Sequence, residues 1–162
     1  MLAPGGSIEE AIRNMRSGLA IKRATGAEIK VPYYLGLLAE AHRRANRNPD
    51  AMSLLDEALE LVELTGERWY EAELCRLMAK ALITRSDRHD AERWLYRALQ
   101  TAQKQGARFW ELRAATSLAR LWRDQGKRTE ARDLLAPIYA CFTEGFDMRD
   151  LKEVAALLAE LA

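Results

Sequence analysis

A spacing of forty residues recurs along this chain and constrains its fold more than any other feature. Three alanines, each preceded by a large apolar residue, stand at Ala39, Ala79 and Ala119. A second alanine follows each of them after twelve residues, and a leucine four residues later, at Ala51, Ala91, Ala131, Leu55, Leu95 and Leu135. Self-similarity at one fixed period of this length predicts an array of repeated units.

Each unit contains two runs in which apolar residues return at steps of three and four, the pattern of an amphipathic helix. The polar breaks ANRNPD, RSDRHD and DQGKRT separate the two runs. Asn46, Ser86 and Gly126 stand at equivalent places in these breaks, where a left-handed residue ends a helix. Pro49 suits the first turn of the following helix. The unit is therefore predicted to be a helical hairpin, with small residues such as Ala79 where its helices cross closely.

We expect a single all-α domain over residues 1–162, a superhelical solenoid of about eight helices. In this scheme the chain begins in mid-repeat, as the C-terminal part of a larger protein, and ends on a helix that caps the stack. The expected divisions are a second-type helix over 7–26, complete units over 30–66, 67–106 and 107–145, and a first-type capping helix over 147–161.

Composition excludes several classes of function. Lys and Arg number 25 against 24 acidic residues, a net charge of +1, so no overall field attracts nucleic acid or an anionic membrane. No apolar run approaches the roughly 20 residues that cross a bilayer, and the start MLAPGGSIEE lacks the pattern of a signal peptide. We expect a cytoplasmic protein in which Cys75 and Cys141 are buried, reduced thiols.

The sequence does not indicate catalysis, a metal or a cofactor. His42 falls at an inward helical position and His89 in a polar break, and neither has a second His or Cys at metal-ligand spacing. No glycine-rich phosphate loop is present. The many carboxylates are interpreted as solvated helix faces. The expected function class is therefore non-enzymatic.

Aromatic residues begin the first helices of two successive units. Trp69 and Tyr70 are equivalent in position to Phe109 and Trp110. Wedging between hairpins is the favoured interpretation, and a base-stacking platform for single-stranded nucleic acid is the alternative. A helical-repeat RNA reader is disfavoured because no polar code repeats from unit to unit.

Two single residues and one helix face have predicted positions in the fold. Ala102 is expected to face outward, and Pro137 to lie inside the last second-type helix, where it removes a backbone hydrogen bond. The first helix carries an apolar stripe that its missing partner would normally cover, so the chain is predicted to form a homodimer, or to pack in crystals, through residues 8–19. This contact is interpreted as an artefact of a chain that begins in mid-repeat. The stripe consists of Ile8, Ala11, Ile12, Met15 and Leu19.

The first helices should line the concave side of the solenoid, and this side is the candidate partner-binding groove. Its locally basic character would suit an acidic segment or chain terminus of a protein or peptide partner. Alternatively, its own carboxylates neutralise it. The residues placed in the groove by counting along the helices are Tyr33, Glu40, Arg43, Glu73, Arg76, Lys80, Arg113, Thr116, Arg120 and Arg123.

The spacing resembles the tetratricopeptide repeat. The pairs at 38–39, 78–79 and 118–119 match its Leu-Gly pair, the alanines twelve residues later match its alanine, and the following leucines match its large aromatic position. The period is forty residues instead of the usual 34, and the closing proline is absent. The resemblance implies a fold of stacked helical hairpins.

A second resemblance covers roughly residues 34–162. The stretches GERWYEAELCRL, ELRAATSLARLWRDQGKRTEARDLLAPIY and FTEGFDMRDLKEVAALLAEL are similar to the C-terminal region of a bacterial multidomain family. Its members join a class III adenylate or guanylate cyclase domain, or a DNA-binding regulator domain, to an AAA-type ATPase and a tetratricopeptide tail. The resemblance implies a regulatory signalling role, in which the tail binds a partner or the upstream domains. The alternative is a tail that drives self-association of a transcriptional regulator.

Overall fold

The computed structural model describes residues 7–26 and 28–162, and helices make up the regular secondary structure of these residues. The all-α solenoid predicted from the forty-residue period is confirmed. The eight helices of the described residues are α1 Ile8–Ala24, α2 Val31–Arg44, α3 Asn48–Thr65, α4 Glu71–Thr84, α5 Arg88–Lys104, α6 Arg108–Asp124, α7 Arg128–Ala140 and α8 Arg149–Glu160.

Three hairpins, α2 with α3, α4 with α5 and α6 with α7, form the body of the molecule. The alanines of the repeat lie where the paired helices meet, and Ala79, Ala91 and Ala119 are fully buried. A methyl group at these positions lets the two backbones approach closely. The leucines that follow, Leu55 and Leu95, are also buried and fill the adjacent space.

The turn inside each hairpin uses one left-handed residue. Asn46, Ser86 and Gly126 have φ angles of 59°, 65° and 82° at equivalent places, as the polar breaks predict. The chain reverses direction there because a left-handed residue directs the backbone away from the helix axis. Pro49 lies in the first turn of α3 and Pro137 inside α7, both as predicted.

The helices form two layers. The first helices α2, α4, α6 and α8 contact one another in succession and make the inner layer. The second helices α3, α5 and α7, together with α1, lie outside them. In the described part of the chain the backbones of the outer helices stay apart, and side-chain ion pairs such as Arg23–Glu57 and Arg97–Glu63 link them. Each helix therefore contacts only near neighbours along the chain, and the inner layer presents one continuous side.

Two expectations about individual residues are wrong. Ala102 does not face outward but is fully buried, because it extends the stripe of Ala91, Leu95 and Ala98 by one further step of four. Cys141 is exposed at the end of α7, whereas Cys75 is buried in α4 as expected. Both thiols are free, and burial raises the pKa of the Cys75 thiol to about 12.

Helix α1 packs on α2 through only part of its apolar stripe. Ile12 and Leu19 are buried, at 3% and 9% exposure. Ile8 and Met15 remain exposed, each at 38%. The stripe predicted from sequence is therefore divided between a face that α2 covers and a face that the described residues leave open.

Candidate interaction groove

A groove runs along the inner layer and encloses a cavity of about 370 Å³. Every inner helix contributes to it, because the inner helices stack side by side and expose equivalent faces. Ten of its lining side chains are charged. Six are cationic and four are carboxylates: Arg44, Arg76, Lys80, Arg113, Arg120 and Arg149, with Glu40, Glu73, Asp150 and Glu153.

The centre of the groove is a buried ion pair on α4. Glu73 and Arg76 are exposed to only 4% and 6%, one turn apart on the same face of the helix. The guanidinium of Arg76 donates two hydrogen bonds to the Glu73 carboxylate, with N–O distances of 2.6 and 2.7 Å. Burial opposes the charge on Arg76, but these bonds outweigh it and its pKa is raised. The pair is a fixed part of the groove floor.

Arg113 of α6 joins this pair to the next unit. Its guanidinium lies 3.0 Å from a Glu73 oxygen and 3.6 Å from Asp150 of α8. It also lies over the ring of Trp110, 5.4 Å from the centroid. Arg113 therefore connects three inner helices through charge contacts.

At the α2 side of the groove, several cations surround the carboxylate of Glu40. Arg43 donates to it at 2.8 Å, and the ammonium of Lys80 on α4 lies 3.9 Å from its other oxygen. Burial alone would raise the pKa of Glu40, but the hydrogen bonds from Arg43 and the charges of Lys80, Arg43 and Arg44 lower it to about 2. Glu40 is thus ionised throughout the physiological range.

Lys80 has a lowered pKa, in contrast to Arg76 beside it. Burial, reinforced by the nearby charge of Arg76, lowers its pKa to about 8. Its side chain nevertheless keeps 36% exposure and faces the cavity. A lysine in this environment is more favourably charged when an additional anion lies beside it.

At the α8 side, Glu153 accepts hydrogen bonds from two arginines. Arg120 donates at 2.9 Å and Arg149 at 2.7 Å, and these bonds lower the pKa of Glu153. Carboxylates thus neutralise the groove in part, as the alternative interpretation expects. Six cations against four carboxylates leave an excess of two positive charges among the lining residues.

Seven of the ten residues predicted for the groove line it: Glu40, Glu73, Arg76, Lys80, Arg113, Thr116 and Arg120. Thr116 is 7% exposed and donates its hydroxyl to the Leu112 carbonyl at 2.6 Å, so it contributes little beyond shape. That these residues bind a partner stays a prediction.

The other three predicted residues lie elsewhere. Tyr33 packs edge-on against Tyr70, with ring centroids 4.9 Å apart. Arg43 folds back along its own helix onto Glu40. Arg123 pairs with Glu160 at the far end of α6, at 2.7 Å. All three are on first helices as expected, but their side chains pair with these partners and do not line the cavity.

Sequence reasoning missed the contribution of α8, which was interpreted only as a cap. Arg149, Asp150 and Glu153 all line the groove. The forty-residue register could have found Glu153, because it lies forty residues after Arg113, itself forty after Glu73. Gly36 was also missed. A Cβ there would lie 2.9 Å from Leu74, so glycine permits the close approach of α2 and α4.

The aromatic residues at the starts of the first helices pack on one another, as the wedge interpretation expects. Tyr70 is 6% exposed and lies edge-on to Trp110, with centroids 5.5 Å apart. Trp69 packs against Tyr33 but stays 45% exposed, and its ring nitrogen donates to Glu67 at 2.9 Å. These contacts bridge three successive units beside the groove.

Within residues 7–26 and 28–162, no cluster of three or more His, Cys, Asp and Glu side chains is arranged to hold a metal ion. The described helices include none with the length and apolar character needed to span a membrane. His42 is fully buried and His89 exposed, matching their predicted positions.

A family model described as the tetratricopeptide repeat matches residues 112–141, which cover most of α6 and α7. The chain is similar to the crystal structure of a putative kinesin light chain from Podosopora anserina with nearly identical TPR-like repeats. The sequence identity is 18% and the TM-score 0.69, with 95% of this chain and 77% of that chain covered.

A crystal structure of a variant of the same fungal protein has a TM-score of 0.70 at 18% identity, with 95% of this chain and 76% of that chain covered. No curated protein matches the sequence. At this identity the similarity shows the fold alone. The chain is an all-α solenoid of TPR type that contains a tetratricopeptide repeat. Repeats of this kind generally form protein-binding surfaces.

Proposed function

We propose that this chain is a non-catalytic protein-interaction module whose inner groove binds an acidic segment of a partner protein. The observation that carries the proposal is the excess of cationic over acidic side chains in a cavity built from four inner helices. Arginine presents its donors in a planar fork that fits carboxylates, and the helices hold these forks in fixed positions.

Three cations of the groove keep part of their side chains exposed to solvent. Arg149 is 88% exposed at its side chain, and Arg120 and Lys80 are 43% and 36% exposed. Arg76 is committed to Glu73 and buried, so it shapes the floor instead of contacting a partner. An incoming carboxylate between Lys80 and Arg120 would approach cations of two neighbouring units.

The kind of protein to which this chain belongs is proposed from the sequence resemblance. In it the chain is the regulatory C-terminal part of a bacterial cyclase–ATPase signalling protein in the cytoplasm, and the acidic partner segment lies in the upstream domains or in another protein. The alternative is the self-association tail of a transcriptional regulator. Nucleic acid and membrane are disfavoured as partners by the net charge of +1.

The homodimer predicted through residues 8–19 stays a proposal, with a smaller contact than the sequence suggests. Ile12 and Leu19 pack on α2, which leaves Ile8, Ala11 and Met15 for a two-fold contact. Met15→Glu should convert such a dimer to monomers in a sedimentation experiment. A dimer that survives this change would contradict the two-fold contact.

A labelled oligo-glutamate peptide tests the groove by fluorescence anisotropy. Lys80→Glu combined with Arg120→Glu should weaken binding by at least about tenfold, or about 1.4 kcal/mol. Arg93→Glu combined with Arg132→Glu makes the same charge change on the exposed outer layer and should have little effect. Arg76→Glu is unsuitable, because it would place two carboxylates together in the buried pair with Glu73.

Two results would contradict the proposal. One is equal loss of binding in the groove and outer-layer variants, which would mean that overall charge and not the groove attracts the peptide. The other is a pKa of Lys80 that does not rise when the peptide is added, measured by NMR of the isotopically methylated lysine. Circular dichroism of each variant verifies that helicity is retained.

A further inference from the structure

Lys80 is the single lysine among the groove-lining residues that the structure describes. The forty-residue register places Glu40 of α2 and Arg120 of α6 at equivalent positions on either side of it. Helix α4 contacts both of these helices, and all three side chains line the same cavity. Lys80 therefore lies between a carboxylate and a guanidinium of the neighbouring units.

The carboxylates near Lys80 are occupied by arginines. The Glu40 oxygen that contacts its ammonium lies 3.9 Å away, too far for a hydrogen bond. Both oxygens of Glu40 accept hydrogen bonds from Arg43, at 2.8 and 2.9 Å. Glu73 likewise accepts two hydrogen bonds from Arg76. The arginines thus satisfy both carboxylates, and the Lys80 amine remains accessible from the cavity.

The surroundings of Lys80 favour a neutral, nucleophilic amine. Burial and the charge of Arg76, one turn earlier on α4, lower the pKa of Lys80 to about 8. The side chain keeps 36% exposure, so a small molecule in the cavity can reach its nitrogen. A lysine that is partly desolvated beside another cation is an activated nucleophile near neutral pH. Lys80 thus combines a reactive amine with an open path to it.

The guanidiniums around Lys80 suit an anionic acyl donor. Arg44 and Arg120 line the cavity with 65% and 43% of their side chains exposed. Arginine binds phosphate oxygens through its planar fork of donors. In an acyl phosphate the reactive carbonyl carbon is bonded to a phosphate oxygen, so arginines that bind the phosphate also hold the carbonyl near the amine. The cavity volume of about 370 Å³ admits such a small molecule.

We propose that Lys80 is a modification site, at which a small acyl phosphate bound by the groove transfers its acyl group to the lysine. The neutral amine attacks the carbonyl carbon, a C–N bond forms, and the C–O bond to the phosphate breaks. The phosphate leaves with the electron pair of that bond and takes up the proton that the nitrogen loses. The products are an amide on Lys80 and inorganic phosphate, and no atom is oxidised or reduced.

Acylation of Lys80 regulates the groove, and this consequence rests on the proposed function. The amide carries no charge, so the excess of two positive charges among the lining residues falls to one. Glu40 loses the ammonium beside it but keeps its hydrogen bonds from Arg43. An acidic segment should therefore bind the acylated groove at least about threefold more weakly.

Acetyl phosphate is the probe, and peptide mass spectrometry of the 162-residue chain measures acetylation at each lysine. Lys80 should react at least about tenfold faster than Lys104 and Lys152, which are exposed on α5 and α8. Excess inorganic phosphate, compared with chloride at equal ionic strength, should slow the reaction of Lys80 alone. The neutral donor p-nitrophenyl acetate should show a smaller preference for Lys80, because it has no phosphate for the arginines to bind.

Two variants separate the roles of the arginines and the lysine. Arg120→Gln should slow acetylation of Lys80 at least about threefold, since it removes a guanidinium that binds the phosphate. Arg132→Gln is its matched control, because Arg132 is exposed on the outer helix α7. Treatment with acetyl phosphate should weaken oligo-glutamate binding by the wild type but not by Lys80→Arg, which keeps the charge and offers no amine at this position.

The outcomes distinguish this site from the proposed function. Equal acetylation rates at Lys80 and Lys104, or acetylation of Lys80 that neither phosphate nor Arg120→Gln slows, would overturn the modification site. Selective acetylation of Lys80 without oligo-glutamate binding by the untreated chain would contradict the proposed function but support the site. Oligo-glutamate binding without selective acetylation would overturn this inference alone.

Discussion

Asn46, Ser86 and Gly126 occupy one turn position, but only glycine adopts its left-handed backbone without strain. Ser86 has φ of 65°, a conformation that costs an L-residue roughly 1–2 kcal/mol. Ser86→Gly should therefore stabilise the protein by roughly 0.5–1 kcal/mol, after the larger entropy of the unfolded glycine is subtracted. Urea denaturation measures the change.

Ser53 provides the matched control for Ser86. It is an exposed residue inside α3, where the backbone is right-handed. Ser53→Gly should lower stability by about 0.5 kcal/mol, because glycine is the poorer helix former. Two serine-to-glycine changes of opposite sign would show that backbone conformation decides the effect. Equal destabilisation by both would contradict the strain at Ser86.

His42 is a fully buried residue with charged neighbours on both sides of its ring. Its Nε2 lies 3.2 Å from an Arg16 nitrogen, and its Nδ1 lies 3.3 Å from an Asp50 oxygen. Burial lowers the pKa of His42 and the charges of Arg16 and Arg47 lower it further, while Asp50 acts in the opposite direction. The folded protein therefore favours the neutral imidazole.

The lowered pKa of His42 makes stability dependent on pH. Below the unfolded pKa of about 6.5, the unfolded chain binds a proton that the folded chain resists. Stability is therefore lost as pH falls below this value, with a slope of at most about 1.4 kcal/mol per pH unit. His42→Gln should flatten the dependence of unfolding free energy on pH just below about 6.5.

His89 is the control for this measurement, because its side chain is 86% exposed. His89→Gln should leave the profile unchanged. Glu40 does not interfere, since its lowered pKa makes it lose its stabilising charge only below about 4.5. A wild-type profile that is flat over this window would contradict the assignment to His42.

At the scale of the helices, the close crossing of α4 and α5 tests the role of the repeated alanines. Ala79 and Ala91 are both fully buried there. Ala79→Leu should overpack the crossing and lower the unfolding free energy by about 1–3 kcal/mol. Ala20→Leu, on an exposed face of α1, should change it by less than about 0.5 kcal/mol. Equal melting temperatures for the two variants would contradict the close crossing.

The sequence predicts the helices and their pairing because the same apolar positions recur in each unit. Ala39, Ala79 and Ala119 identify the crossing, and all three are buried as that pattern requires. Ala102 is buried, against the prediction, because it continues the stripe of Ala91, Leu95 and Ala98 by one further step of four. The exposure of Cys141 follows from its place at the end of α7, where packing is incomplete.

The groove is less predictable than the helices that form it. Periodicity indicates the face on which Arg43 and Arg123 lie, but not which carboxylate a long side chain reaches. Arg43 turns to Glu40 of its own helix, and Arg123 turns to the adjacent Asp124 and to Glu160 of α8. The forty-residue register indicates the position of Glu153, but not that Arg120 and Arg149 both donate to its carboxylate. The charge that a partner would meet in the groove depends on which carboxylate each arginine pairs with, and these pairings are seen only in the structure.

At the scale of the whole molecule, the layered arrangement brings residues from distant parts of the sequence to one surface. The groove follows the inner layer, so Glu40 of α2 and Glu153 of α8 line the same cavity. A partner segment lying along the groove would therefore contact several repeat units at once.

The contacts of Arg113 also have a mechanical meaning. A solenoid in which each helix touches only near neighbours is elastic along its axis, because small rotations at each helix junction add along its length. Arg113 links three inner helices, through Glu73 on one side and Asp150 on the other, and so resists separation of the helices at two junctions. Screening by salt weakens such ion pairs and lowers the stiffness of the solenoid.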